Sequence, residues 1–187
     1  MDLLPSIDPA AGHGLAAALA ALLLLGAWAK LRDLALFRAA VENYGLLPER
    51  GAAAVAVVLP CAEAACGVLL LPLATRGAGA LAAAALVGAV TLAVLAALVR
   101  GRGGVDCGCG GGTGSMPDVP LGAGLVARNG VLIVLALAAA LPPAPRALHA
   151  VDALSIAGTV LFVLGAWTLV NTLLAHEPRL RDGRRPG

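Results

Sequence analysis

Five apolar runs, each near the length a helix needs to cross a hydrocarbon layer, organise this chain. They cover residues 14–29, 51–73, 77–99, 121–141 and 151–175, and about 20 residues are enough for one crossing. The runs are mostly Ala, Leu and Val and do not alternate apolar with polar residues, as the strands of a membrane barrel would. Without water to satisfy the backbone, each run is expected to close its own peptide hydrogen bonds as an α-helix. The first run continues through Lys30-Leu31-Arg32-Asp33 into an amphipathic stretch with Leu34, Phe37 and Tyr44. That stretch is expected to lie at the interface, with its basic residues as anchors. Helix breakers fall between the runs. Pro48 precedes the second, Pro72 and Gly77 separate the second from the third, Pro142, Pro143 and Pro145 close the fourth, and Pro178 follows the fifth.

The fold class this predicts is all-α: a polytopic transmembrane helix bundle of about five membrane-spanning helices. The chain, residues 1–187, forms a single integral membrane domain, with its last helix at 151–175 and a basic tail at 176–187. Ala27-Trp28-Ala29 fits a small-x-small cleavage pattern, but the segment before it carries Asp2 and Asp8 and no Lys or Arg. A signal peptide has a basic n-region, so the first helix is expected to stay.

Composition agrees with this picture. Hydrophobic residues make up 60% of the chain and charged residues 13%, about half the charged fraction of a soluble globule. The net charge of +2 and the 3% aromatic content argue against a nucleic-acid partner and against base-stacking platforms. The lipid bilayer is the partner the composition names. With five alternating spans, eleven of the thirteen Lys and Arg residues fall on the side opposite the N-terminus; Arg76 and Arg146 are the two exceptions. The positive-inside bias then puts the N-terminus outside and the C-terminus in the cytoplasm. The expected localisation is the cell membrane, multi-pass.

Chemistry concentrates in the loop between the third and fourth runs. Eight of the fourteen residues from Gly101 to Gly114 are glycine, and Cys107-Gly108-Cys109 lies among them. Two thiols one residue apart can close a small, strained ring, and a strained accessible disulfide is easily exchanged. Arg100, Arg102 and Arg128 flank the loop and would favour a thiolate, whereas Asp106 opposes it. Two other readings stay open. The thiols could be incidental in a flexible connection. They could also be metal ligands, but Cys-x-Cys supplies two of the four that zinc takes, and His13, His149 and His176 are on other segments.

Cys61 and Cys66 lie in the second run, offset by about 140° and roughly 7.5 Å on a helix. They cannot bridge each other there and are expected to pack as small apolar residues. The sharper alternative is a relay in which one of them exchanges with Cys107 or Cys109. Glu63, between them, is a carboxyl inside a span. It is expected to be protonated, paired or functional, with Lys30 or Arg128 as candidate partner.

Taken in order, these residues resemble a known family. A first span ends in Lys30-Leu31-Arg32-Asp33, followed by Phe37 and Tyr44-Gly-Leu-Leu-Pro48. The second span carries Leu59-Pro60-Cys-Ala-Glu63, Gly67 and Leu69-Leu70-Leu71. Arg100-Gly-Arg102, Asp106-Cys107-Gly-Cys109-Gly110 and Arg128-Asn129 follow. The pattern resembles the MauE family of methylamine-utilisation proteins, within the wider MauE/DoxX group of redox-associated membrane proteins, over about residues 14–141. The resemblance implies a four-helix DoxX-like core plus one helix. It also implies a part in processing, transport or disulfide formation of an exported client such as the methylamine dehydrogenase small subunit, beside a thioredoxin-like protein. Carried onto this chain, Cys107 and Cys109 are the paired cysteines, and Glu63 and Arg128 are supporting groups. Where the family often has an aromatic residue after the second cysteine, this chain has Gly110. No cofactor is expected; a quinone would fit a quinone-linked oxidoreductase, but no specific motif for one is present. A non-catalytic assembly or transport factor with idle cysteines is the alternative function. Because the implied client folds outside, a cytoplasmic Cys107 and Cys109 would receive or deliver electrons on the inner side, unless the number of spans is even.

Overall fold

A computed structural model describes residues 6–105 and 119–182, with side chains through His176. It contains six helices: α1 Pro9–Arg32, α2 Leu34–Asn43, α3 Glu49–Leu70, α4 Leu73–Val99, α5 Ala123–Ala139 and α6 Ala150–Asp182. Four of them, α1, α3, α4 and the Ala150–His176 part of α6, are long and apolar enough to span a membrane. The fifth, α5, is shorter, with 17 residues, or about 25 Å against a hydrocarbon core of about 30 Å. The all-helical, polytopic bundle expected from the sequence is therefore the fold.

The helix ends differ from the apolar runs, for local reasons. The first run does not continue unbroken to Tyr44. Asp33 leaves the helical region at φ −135° and caps the next helix by accepting from the Leu36 amide at 3.0 Å. A separate α2 results, and it can lie at an angle to α1. Pro72 ends the stretch after α3 and becomes the N-cap of α4, so α4 starts before Gly77. Gly122, fully extended, delays the start of α5. In α3, Pro60 sits inside the helix.

α1 packs on α3, α5 and α6; α4 packs on α3 and α5; α2 lies on α3. Two apolar clusters fill the bundle, one toward each face. Near the N-terminal face, Ala16, Leu19 and Ala20 of α1 meet Cys66 and Leu70 of α3, Ala80, Ala83 and Ala84 of α4, and Ala136 and Ala139 of α5. Near the other face, Val94 and Ala97 of α4 meet Val119, Leu121 and Leu125. The first cluster is mostly alanine, and small side chains are what let helices approach closely in lipid. Three glycines mark the closest approaches. A Cβ on Gly67 would stand 2.9 Å from Leu24 of α1, one on Gly14 2.9 Å from Thr159 of α6, and one on Gly79 2.8 Å from the Leu69 backbone. Large apolar side chains point outward, such as Trp28 at 67% and Phe162 at 75% exposure, as expected where the solvent is lipid.

Candidate functional site

The loop carrying Cys107 and Cys109 lies outside the described residues, but its two stems are described. The Gly104 amide donates to the Leu121 carbonyl at 3.0 Å, and the Leu121 amide donates to the Val105 carbonyl at 2.7 Å. The two flanks of that segment are therefore joined, between the end of α4 and the start of α5. Val105 and Tyr44 pack against the Val94–Leu125 cluster below. Gly101 and Gly104 take positive φ, 77° and 83°, a region that glycine enters without strain. The glycine richness is thus used at the stem.

Arg100 and Arg102, expected beside the thiols, reach sideways to the α2–α3 turn. Arg100 Nη1 donates to the Gly45 carbonyl at 3.1 Å. A Cβ on Gly45 would stand 3.0 Å from Arg102 Nη2, and Gly45 itself has φ +63°. The positive φ favours glycine there, and its missing side chain leaves the guanidinium of Arg102 room to lie on the turn. Arg38 extends the same tie, pairing with Glu42 and with Glu49 at the start of α3, each at 2.7 Å.

Glu63 is paired. Lys30 Nζ donates to both of its carboxylate oxygens at 2.8 Å, and the two side chains are only 9% and 13% exposed. Of the two expected partners, Lys30 is the one. This also changes the reading of Lys30, which is not an exposed interfacial anchor. Side chains on a helix lean toward its N-terminus, so the ammonium is carried back up α1 to the level of Gly26. A Cβ there would be 3.5 Å from Nζ and 3.8 Å from Glu63 Oε2. The Phe37 ring of α2 stands 5.6 Å from the ammonium, a cation–π distance. Beside the pair lies a cavity of about 270 Å³, lined chiefly by apolar residues including Phe37, Leu59, Leu86 and Val90.

Arg128 is buried about one and a half turns into α5 and belongs to a different network. Its Nη1 donates to Asn171 Oδ1 of α6 at 2.6 Å, and its Nη2 to Asn129 Oδ1 at 3.0 Å. Asn129 Nδ2 donates to Thr91 Oγ1 of α4 at 3.2 Å, and Thr91 donates to the Val87 carbonyl at 2.7 Å. The Trp167 ring of α6 lies 4.3 Å from the guanidinium carbon. The structure thus keeps Glu63 and Arg128 in separate networks. Thr91, Trp167 and Asn171 stand outside the sequence pattern, and Asn129 enters it only beside Arg128. The available signal was a polar side chain inside an apolar span, which in a membrane marks a bonded or functional position. The last helix, an appendage in the sequence, supplies two of Arg128's neighbours.

Cys61 and Cys66 are both free thiols; Cys61 faces outward and Cys66 is buried in the bundle. Among the described residues, no group of three or more His, Cys, Asp or Glu side chains could hold a metal ion.

Residues 8–142 match the family model described as Methylamine utilisation protein MauE. The Methylamine utilization protein MauE of Paracoccus denitrificans is 43% identical over 124 residues, 65% of this chain and 64% of that protein. The chain thus aligns with just under two thirds of that relative. The Paracoccus versutus protein of the same name is 41% identical over 160 residues, 84% of each chain. No solved structure matches.

Proposed function

The chain belongs to the MauE family of methylamine utilisation proteins, and on that premise we propose that it is a membrane thiol–disulfide component supporting maturation of an exported protein. The client class is a disulfide-containing exported protein such as the methylamine dehydrogenase small subunit, with a thioredoxin-like protein as redox partner. Cys107 and Cys109 are the exchanging pair. A thiolate of the pair attacks the partner's disulfide, one partner sulfur leaves as thiolate, and a mixed disulfide forms. The second thiol of the pair then displaces the other partner sulfur. The chain ends as the disulfide and the partner as the dithiol; the reverse sequence oxidises the partner.

The observation that carries this reading is the pinned stem. Two backbone hydrogen bonds at Gly104, Val105 and Leu121 join the flanks of the dithiol segment on an apolar cluster, which supports a fixed base for the pair. Arg128, beneath α5's first turns and held by Asn129 and Asn171, is the buried positive charge nearest that stem in sequence. A guanidinium in low dielectric favours thiolate over thiol. Glu63 supports the site from farther off. Its pairing with Lys30 fixes α1 against α3 under α2 and the α2–α3 turn on which Arg100 and Arg102 lean.

The test is trapping. Wild-type protein is expected to give a mixed disulfide with a thioredoxin-like partner on non-reducing gels, and Cys107→Ser is expected to abolish it. Identical adducts from wild type and Cys107→Ser refute the redox role. Full client maturation by a chain lacking all four cysteines would make it a non-catalytic assembly or transport factor instead.

A further inference from the structure

We propose that Arg76, at the first turn of α4 and facing the first turn of α1, holds the phosphate of a phospholipid headgroup. Arg76 is only 5% exposed, its Nε is buried with no hydrogen-bond partner, and no ion pair or hydrogen bond of its side chain occurs among the described residues. Its Nη1 lies 3.8 Å from where a Cβ on Gly12 would stand, so the guanidinium points at the opening turn of α1. A buried charge left without a partner is costly, and the described residues around it do not supply one. The described acids of this face, Asp8 and Asp152, are both committed to Arg146 at 3.0 and 2.9 Å, and Asp8 also caps α1 through the Ala10 and Ala11 amides.

The neighbouring helix ends add to the demand for an anion. α1 and α4 both begin on this face and turn the positive ends of their dipoles toward it. α4 starts at Pro72 with no side-chain cap and no acidic residue in its first turn. The negative end of α3 lies nearby, but the Leu69 carbonyl there is taken by Thr75 Oγ1 at 2.8 Å. His13 is turned onto the Pro9 carbonyl. An oxyanion that accepts the guanidinium fork beside the uncapped N-terminus of α4 matches this set. Arg76 sits in the opening turn of a span, the level at which lipid phosphates meet the ends of a crossing helix.

The test uses the full chain purified in detergent, with thermal unfolding followed on adding phosphatidylglycerol or inorganic phosphate. Saturating phosphatidylglycerol is expected to raise the wild-type Tm by roughly 5–10 °C, the shift that about a hundredfold excess over Kd gives a chain of this size. Arg76→Gln is expected to lose that increment, and Arg76→Lys to keep part of it. Without added lipid, Arg76→Gln is expected to melt no lower than wild type, since it removes an unpaired buried charge. Native mass spectrometry should show one retained lipid fewer on the Gln variant. An equal lipid response from wild type and Arg76→Gln overturns the proposal, as does a response to inorganic phosphate alone.

Discussion

The Lys30–Glu63 pair gives the sharpest energetic test of the bundle. Replacing Lys30 by Met keeps the length and apolar stem of the side chain and deletes only the ammonium. It strands a carboxylate that is 13% exposed and has both oxygens bonded to that ammonium at 2.8 Å. The stranded group must either stay charged in low dielectric or take up a proton. Removing one member of a buried, hydrogen-bonded pair costs roughly 3–5 kcal/mol. At roughly 2–4 °C per kcal/mol for a chain of this size, Lys30→Met should lower Tm by roughly 10 °C. The double variant Lys30→Met/Glu63→Gln leaves no charge to strand and should recover most of the loss. Thermal unfolding of the two singles and the double, in one detergent at pH 7, closes a double-mutant cycle. The expected coupling is about 2–3 kcal/mol. If Lys30→Met melts like wild type, or the double melts as low as the single, the pair does not hold the charge as described.

Three further predictions use other parts of the molecule. Gly79→Ala should destabilise by about 2–3 kcal/mol, because its Cβ would meet Leu69 and Leu70 backbone at 2.8–2.9 Å and backbone cannot swing aside; Gly77→Ala, with nothing within 4 Å, should be neutral or gain up to about 1 kcal/mol in helix propensity, and equal Tm values for the two variants would refute the close approach. The Arg146 guanidinium, joined by the Ala11 and Ala10 amides, holds the Asp8 carboxyl below the usual carboxylate range. Its stabilisation is therefore present above the unfolded value of about 3.9 and is lost as pH falls through the lower folded value; Tm of wild type should drop more steeply than that of Asp8→Asn between pH 5 and pH 3 (about two units around that value), and parallel curves would contradict the contact. In a Cys61→Ala/Cys66→Ala background, a membrane-impermeant maleimide should label Cys107 and Cys109 only after the cytoplasmic face is opened. Labelling in intact cells would reverse the orientation read from the Lys and Arg asymmetry.

The bundle was legible in the linear pattern because the bilayer imposes its own length and composition. Runs of Ala, Leu and Val near 20 residues have few alternatives to a spanning helix, and all five became helices. The prolines and Asp33 also carried their meaning locally: Pro72 caps α4, and Asp33 accepts the Leu36 amide and separates α2 from α1. The family pattern was legible too, since Leu59-Pro60, Glu63, Cys107, Cys109 and Arg128 stand in order along the chain, and residues 8–142 match the family model.

Partnership was not legible. Sequence offered Glu63 two cations, and only the packing of α1 on α3, with Gly26 leaving room, chose Lys30. Arg128 went to Asn129, Asn171 and Trp167 instead, two of them on α6 and about 40 residues further along the chain. Along the sequence Arg76 is only one of two basic residues on the N-terminal side, and burial without a hydrogen bond to Nε sets it apart. The physical reason is range. Transfer into lipid acts on each segment by itself, so its outcome can be read residue by residue. A hydrogen bond or ion pair forms only within about 3 Å, and which side chains come that close is decided by how whole helices cross.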